Sequence, residues 1–120
     1  MKKIILSYWF PLVLYMVLIF YLSSLQQDSF TNLNEGFHLN DKVEHFLEYS
    51  LLSVLFLRVL KHHSQKNPSL KAVAFSTLFG FSDEIHQIFV ATRVFSLGDI
   101  FFDFLGSLAA VILVFYILKK

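Results

Sequence analysis

An uninterrupted apolar run near the amino terminus is the feature that most limits what this chain can fold into. Residues 4–25 contain no charged side chain. As a helix they would extend about 33 Å, enough to cross the roughly 30 Å hydrocarbon core of a bilayer. The apolar part of a signal peptide is usually shorter, about 7–15 residues, and ends at a small-residue cleavage site. Because this run is longer and ends in a Ser-Ser-Leu-Gln-Gln sequence, we expect a retained membrane helix.

The composition of the whole chain agrees with a membrane environment. Of the 120 residues, 56% are hydrophobic and only 16% are charged, and the mean hydropathy is +0.61. Soluble domains are typically about 45–50% apolar and about 25% charged, so the composition disfavours a water-soluble monomer. The chain has no cysteine, which excludes a disulfide framework and a thiolate metal site.

Three further segments are candidates for membrane helices. The last is uncharged from residue 104 to residue 118. The two middle segments carry charges and could be read as buried helices of a soluble bundle, but residues 51–57 are apolar on every side, which favours lipid contact or deep burial. We predict one all-α, polytopic membrane domain over residues 1–120 with four transmembrane helices. Their expected positions are about 4–25, 41–60, 70–90 and 99–118.

The basic residues predict the orientation of these helices. With a cytoplasmic amino terminus, eight of the ten Lys and Arg residues fall on the cytoplasmic side, and only Lys42 and Arg93 fall outside. An excess of Lys and Arg in cytoplasmic loops is the main determinant of topology, so we predict that both termini are cytoplasmic. All nine acidic residues then lie in the extracytoplasmic half.

That acidic half concentrates ionisable side chains at matching ends of three predicted helices. On the second helix one face is formed, by its spacing, of Asp41, His45, Glu48, Tyr49 and Leu52. On the next helix Asp83 precedes His86 by three residues. An ionised residue inside a span costs about 2.5–3.5 kcal/mol and is a functional candidate by default. So many carboxylates at one depth must be protonated, in contact with water or bound to a cation.

We therefore predict one external cleft between the second, third and fourth helices, above a seam of small residues (Ser76, Gly80, Gly106 and Ala110) that permits close packing. The first helix would serve as packing or lipid-facing support. The candidates for acid–base chemistry are His45, Glu48, Asp83, Glu84 and His86. The candidates for substrate binding are Asp41, Lys42, Tyr49, Gln87, Arg93, Asp99 and Asp103. A divalent metal ion would take His45, Glu48, Asp83 and His86, a nitrogen and oxygen set with i, i+3 spacing on two helices. Taken singly, Asp41 and Asp99 could instead be helix caps, and Glu44 an interfacial residue.

Several short motifs in this half form a specific combination. They are Asp41-Lys42-Val43-Glu44-His45-Phe46-Leu47-Glu48-Tyr49, Asp83-Glu84-Ile85-His86-Gln87, Arg93, and Ser96-Leu97-Gly98-Asp99 with Gly106. From residue 41 to the carboxyl terminus the chain resembles the VanZ-like family of small bacterial membrane proteins. The family's characteristic polar positions correspond to Asp41, Lys42, His45, Tyr49, Asp83, Glu84, Gln87, Arg93 and Asp99, whereas the family usually has Asn at the position of Asp103. The resemblance implies a multi-spanning envelope protein related to one that gives low-level resistance to the glycopeptide teicoplanin, and it implies no particular reaction.

Three classes of function stay open. An enzyme could act on a lipid-linked or cell-wall-proximal substrate by general acid–base chemistry, with Glu48 or Asp83 orienting His45 or His86. Arg93 would then hold a phosphate or carboxylate. A non-enzymatic module could sequester a lipoglycopeptide or a lipid head group. Transport of a proton or cation is the third class, although no path of ionisable residues continues past mid-membrane. In each case we expect a cell-membrane protein in contact with lipids, with its polar site on the extracytoplasmic side and no nucleic-acid partner.

Overall fold

The computed structural model describes residues 2–24, 39–89 and 97–119 of the chain. Within these ranges the chain is helical apart from a short turn after His62 and a terminal turn residue, Phe89, and it contains no strand. The all-α prediction is confirmed. The four helices lie over the predicted segments, with ends displaced by a residue or two. They are α1 (Lys2–Ser24), α2 (Leu39–His62), α3 (Pro68–Ile88) and α4 (Leu97–Lys119).

Two of the four helices, α1 and α4, are long and apolar enough to cross a membrane. Their most apolar stretches have mean hydropathies of 2.1 and 2.3, and only a small share of the residues in these stretches is buried inside the bundle. Large apolar side chains such as Leu6, Val17, Leu113 and Ile117 point outward on them, which suits contact with lipid. Because α2 and α3 carry more charged residues, their place in the membrane stays a prediction.

One irregular turn interrupts α1. Residues Ile5–Trp9 form a π-helical turn, in which the backbone N–H of Phe10 bonds to the carbonyl oxygen of Ile5. Pro11, the next residue, has no N–H and its ring crowds the carbonyl of Ser7 four residues earlier. A widened turn relieves that crowding.

Contacts between side chains show how the helices are arranged. Near the start of α1, the ring of Tyr8 stacks on His62 at the end of α2, with centroids 4.2 Å apart. Near its end, Phe20 stacks on His86 at the end of α3, with centroids 4.8 Å apart. Helix α1 therefore runs antiparallel to α2 and parallel to α3. Lys42 and Asp99 pair near the starts of α2 and α4, and Ser53 bonds to Ser107 further along both helices, so α2 and α4 run parallel. Neighbouring helices along the chain are thus antiparallel.

The parallel pair α2 and α4 packs most closely. A Cβ on Gly106 would overlap the backbone of Phe46, so only glycine permits this approach. Two serine hydroxyls of α2 donate hydrogen bonds to α4. Ser50 donates to the carbonyl of Gly106 (3.0 Å) and Ser53 donates to the carbonyl of Ser107 (3.2 Å). In apolar surroundings such bonds help to hold helices together. They were not anticipated from the sequence.

Candidate functional site

Four side chains from α2 and α4 form a continuous chain of polar contacts. Lys42 donates a hydrogen bond from Nζ to Oδ1 of Asp99 at 2.5 Å. The other oxygen of Asp99 lies 3.5 Å from Nε2 of His45, and Nδ1 of His45 donates to Oδ1 of Asp103 at 2.7 Å. The four residues meet because Lys42 and His45 are one turn apart on α2, as Asp99 and Asp103 are on α4.

This chain of contacts is buried inside the bundle. The exposed fractions of His45, Asp99 and Asp103 are 7%, 4% and 0%. Charges in such surroundings interact more strongly than they do in water. Lys42, whose side chain is 17% exposed, lies nearest the surface.

The end of α3 adds three more buried polar residues, Asp83, Glu84 and Gln87. Glu84 has a carboxylate oxygen within 4.8 Å of ligand atoms on both His45 and Asp99. Side chains from three helices therefore meet at one depth.

Tyr49 lies one turn deeper than His45 on α2, and its ring is nearly parallel to the imidazole, at 13° and 6.1 Å. Its side chain is completely buried, and its hydroxyl has no hydrogen-bond partner among the described residues. The same holds for Oδ2 of Asp103, which lies against Gly80 of α3. The buried site thus includes polar atoms that its described residues do not satisfy, an arrangement that calls for a functional explanation.

One predicted site residue, His86, lies elsewhere. Its Nε2 is 2.8 Å from the hydroxyl of Ser24, and its ring stacks on Phe20, so it faces α1. On a helix, His86 and Glu84 project to opposite sides of Asp83, and α2 and α4 lie on the side of Glu84. The described residues that converge on His45 are Glu84 and Asp99, and His86 is not among them. The metal set of His45, Glu48, Asp83 and His86 stays a prediction.

Glu48 lies at the edge of the site beside α1. Its backbone carbonyl accepts a hydrogen bond from the hydroxyl of Tyr15 (3.0 Å). Its partly exposed side chain is close enough to His45 and Asp103 to interact with their charges. Together with the contact between Ser24 and His86, this shows that α1 also packs against the polar end of the bundle.

Two predicted binding residues cannot be placed in this geometry. Arg93 lies outside the described residues, as does the side chain of Asp41. Their proposed contacts with a substrate stay predictions.

The geometry changes the expected division of roles. The residue that orients His45 is Asp103, which we expected to bind substrate, whereas Glu48 or Asp83 was the expected partner. A carboxylate on Nδ1 holds the imidazole in one tautomer and directs Nε2 at whatever lies opposite. Nε2 therefore faces Asp99, where it can exchange a proton or share a bound cation.

A small all-helical bundle with an apolar surface and a buried site of carboxylates and one imidazole defines a class of integral membrane protein. Within that class the family model described as VanZ/LLP1 matches residues 8–119. The chain therefore belongs to the VanZ/LLP1 family, and the resemblance found in its motifs is confirmed. Comparison with curated proteins and with solved structures gave no significant match.

Proposed function

We propose that this VanZ-family protein is a four-span protein of the bacterial cell membrane that acts on a lipid-linked or cell-wall-proximal substrate at an extracytoplasmic site. Such an activity would link it to glycopeptide (teicoplanin) resistance, as its family membership suggests. His45, Asp99 and Asp103 form the centre of the proposed site.

Two features support the proposed orientation. The alternating helices bring the acidic ends of α2, α3 and α4 together, while Arg58 and Lys61 lie at the opposite end beside the start of α1. The excess of Lys and Arg at that second end favours the cytoplasm. The site would then open towards the cell wall.

One observation supports catalysis at this site. The buried imidazole of His45 is held by Asp103 through one nitrogen and presents the other nitrogen to Asp99. General acid–base catalysis requires a group within hydrogen-bond reach of the reacting proton and a neighbour that fixes its tautomer. His45 and Asp103 satisfy the second requirement. A hydrolytic or transfer reaction at a phosphate or carboxyl derivative suits this pair.

A second candidate function, sequestration of a lipid or lipoglycopeptide without chemistry, is favoured by an apolar groove between α3 and α4. The groove has a volume of about 480 Å³ and is lined by residues that include Leu70, Val73, Leu108 and Phe115. It begins at Phe104, next to Asp103 in the sequence, and follows α4 towards its carboxyl end. An acyl chain could occupy it while a polar head group reached the site. Transport has no comparable support, because the buried polar residues described deeper in the bundle are serines.

The experiment compares His45→Gln with Glu44→Gln, an exposed position on the same helix. Each variant is expressed in a teicoplanin-susceptible bacterium, and its membrane abundance is measured by immunoblot. We expect His45→Gln to lose the resistance conferred by the wild-type protein at equal abundance, and Glu44→Gln to retain it. Resistance retained by His45→Gln would contradict the proposed site.

An assay with purified protein in lipid nanodiscs distinguishes an enzyme from a sequestering module. The protein is incubated with lipid-linked cell-wall precursors, which are then analysed by mass spectrometry. An enzyme changes the mass of a precursor, and the change is absent with His45→Gln. Retention of unchanged precursor on the nanodiscs supports sequestration, and neither result would contradict action on this substrate class.

A further inference from the structure

We propose that His45, Glu84 and Asp99 bind one divalent metal ion of the first transition series, of the Zn²⁺ or Mn²⁺ type. The inference deepens the proposed function and rests on it only for the use of the ion, because binding itself can be measured without any substrate. The expected metal set lies in the same half of the chain but shares only His45 with this one.

The first support is that the ligand atoms of the three side chains lie close together. One ligand atom from each residue lies within 4.8 Å of the other two, and all three residues are buried. Zinc ligands of this kind lie about 2.0–2.2 Å from the ion, so two ligand atoms of one ion are at most about 4.4 Å apart. The three side chains therefore need only small movements to share an ion. Each comes from a different helix, so the ion would join α2, α3 and α4.

The second support is that two of the ligands are already oriented by other residues. Nδ1 of His45 is held by Asp103 at 2.7 Å, which directs Nε2 towards Asp99. Oδ1 of Asp99 is held by Lys42, which leaves Oδ2 on the side of His45. A carboxylate that fixes a ligating imidazole through its other nitrogen is a regular feature of protein metal sites.

The third support is independent of these contacts. The hydroxyl of Tyr49 is buried and has no hydrogen-bond partner among the described residues. It is close enough to interact electrostatically with Asp103, Asp83, Glu48 and Glu84, in decreasing order of strength. A water molecule on a metal ion beside Glu84 would supply a partner for such a hydroxyl. Because hydroxyl groups both donate and accept, Tyr49 suits a position next to metal-bound water.

The donor set indicates the kind of ion. One imidazole nitrogen with two carboxylate oxygens suits zinc, manganese or ferrous iron better than magnesium or calcium, which prefer oxygen ligands alone. The chain has no cysteine, so no thiolate competes. Three protein ligands leave at least one position for water or substrate, as in catalytic metal sites.

The test uses the full chain purified in detergent without a histidine tag. After treatment with a chelator and its removal, Zn²⁺ or Mn²⁺ is titrated, and bound metal is measured by elemental analysis. We expect one ion per chain and a metal-dependent rise in the thermal unfolding midpoint, because an ion that binds only the folded state stabilises it. Bound Co²⁺ gives a visible absorption spectrum that reports on the same site.

Variants then locate the ion. Glu84→Gln and Asp99→Asn should each weaken binding at least about tenfold, and Asp103→Ala should weaken it by about 10–100-fold, the usual effect of losing an orienting partner. Glu44→Gln is the matched control and should bind like wild type. If Glu84→Gln does not fold, Glu84→Asp, which keeps a shortened carboxylate, takes its place.

Two results would overturn the proposal. One is folded wild-type protein that binds no ion in the titration. The other is binding that Glu84→Gln and Asp99→Asn leave unchanged, which would place the ion elsewhere. Metal binding in a protein that neither alters nor retains lipid-linked precursors would instead contradict the proposed function alone. Activity of the chelator-treated protein would contradict a role for the metal in that function.

Discussion

The carboxylate of Asp103 lies against the backbone of α3 at Gly80, in the space that a Cβ at position 80 would occupy. The same carboxylate accepts the hydrogen bond from His45. Close packing of α3 on α4 and orientation of the buried imidazole therefore depend on one point of contact. A change in the helix packing at this point would change the site.

Gly80→Ala should displace Asp103. The added methyl group would overlap a carboxylate that His45 already holds, and such overpacking costs about 1–3 kcal/mol. We expect a lower thermal unfolding midpoint and loss of the resistance phenotype. Ala109→Val adds bulk on the exposed face of α4 and should leave both unchanged. Wild-type behaviour of Gly80→Ala would mean that Asp103 can move without consequence.

Gly106→Ala should destabilise the fold itself rather than disturb only the site. Here the added Cβ would meet the backbone of Phe46, which cannot rotate away as a side chain can. Separation of α2 from α4 would also stretch the hydrogen bonds from Ser50 and Ser53. We expect a larger fall in membrane abundance and thermal stability than Gly80→Ala causes, measured side by side. A larger fall for Gly80→Ala than for Gly106→Ala would contradict the close packing of α2 on α4 described above.

Asp103→Asn should be tolerated where Asp103→Leu is not. An asparagine retains an oxygen that can accept from Nδ1 of His45, and the resemblance to the family includes Asn at this position. Leucine would leave the buried imidazole N–H without an acceptor, at a cost of about 1–3 kcal/mol. Thermal unfolding and resistance, measured for both variants, check this. Equal behaviour of the two would show that the hydrogen bond does not matter.

The orientation can be tested with single cysteines, because the chain has none of its own. Asn34→Cys, which lies outside the described residues, should react with a membrane-impermeant thiol reagent in intact cells. Gln65→Cys, in the exposed turn between α2 and α3, should react only after the membrane is opened. The opposite labelling pattern would place the polar site on the cytoplasmic side.

Arg93→Lys should impair function although it keeps the positive charge. A guanidinium can donate two parallel hydrogen bonds to a phosphate or carboxylate, whereas an ammonium acts as a point charge. We expect at least about tenfold weaker retention of an anionic lipid-linked precursor, in keeping with the loss of about 1.5–3 kcal/mol for a charged hydrogen bond. Arg58→Lys, at the other end of the bundle beside Tyr8, is the matched control. If Arg93→Lys retains the precursor as well as the wild-type protein does, the proposed two-point contact is contradicted.

Apolar length and charge spacing determined much about this protein from the sequence alone. Residues 4–25 predicted the first helix because few environments other than a bilayer accommodate so long an uncharged run. The motifs around His45 and Asp83 led to the correct family. Helical periodicity also placed His45 and Tyr49 on one face, where the structure has them stacked. The inferences about the first helix and about the face of His45 use only the distance between residues along one helix, and the family resemblance uses only the order of short motifs along the chain.

Tertiary structure decided which helix each polar face meets. Periodicity places His86 near Asp83, but only the packing of α1 against α3 directs it to Ser24. Periodicity likewise cannot choose Asp103, rather than Glu48 or Asp83, as the partner of His45, because that pairing depends on the rotation and depth of α4 relative to α2. Those are set by Gly106 against Phe46 and by Gly80 against Asp103. Close contact between helices is a property of two surfaces, and the sequence of one helix describes only one of them.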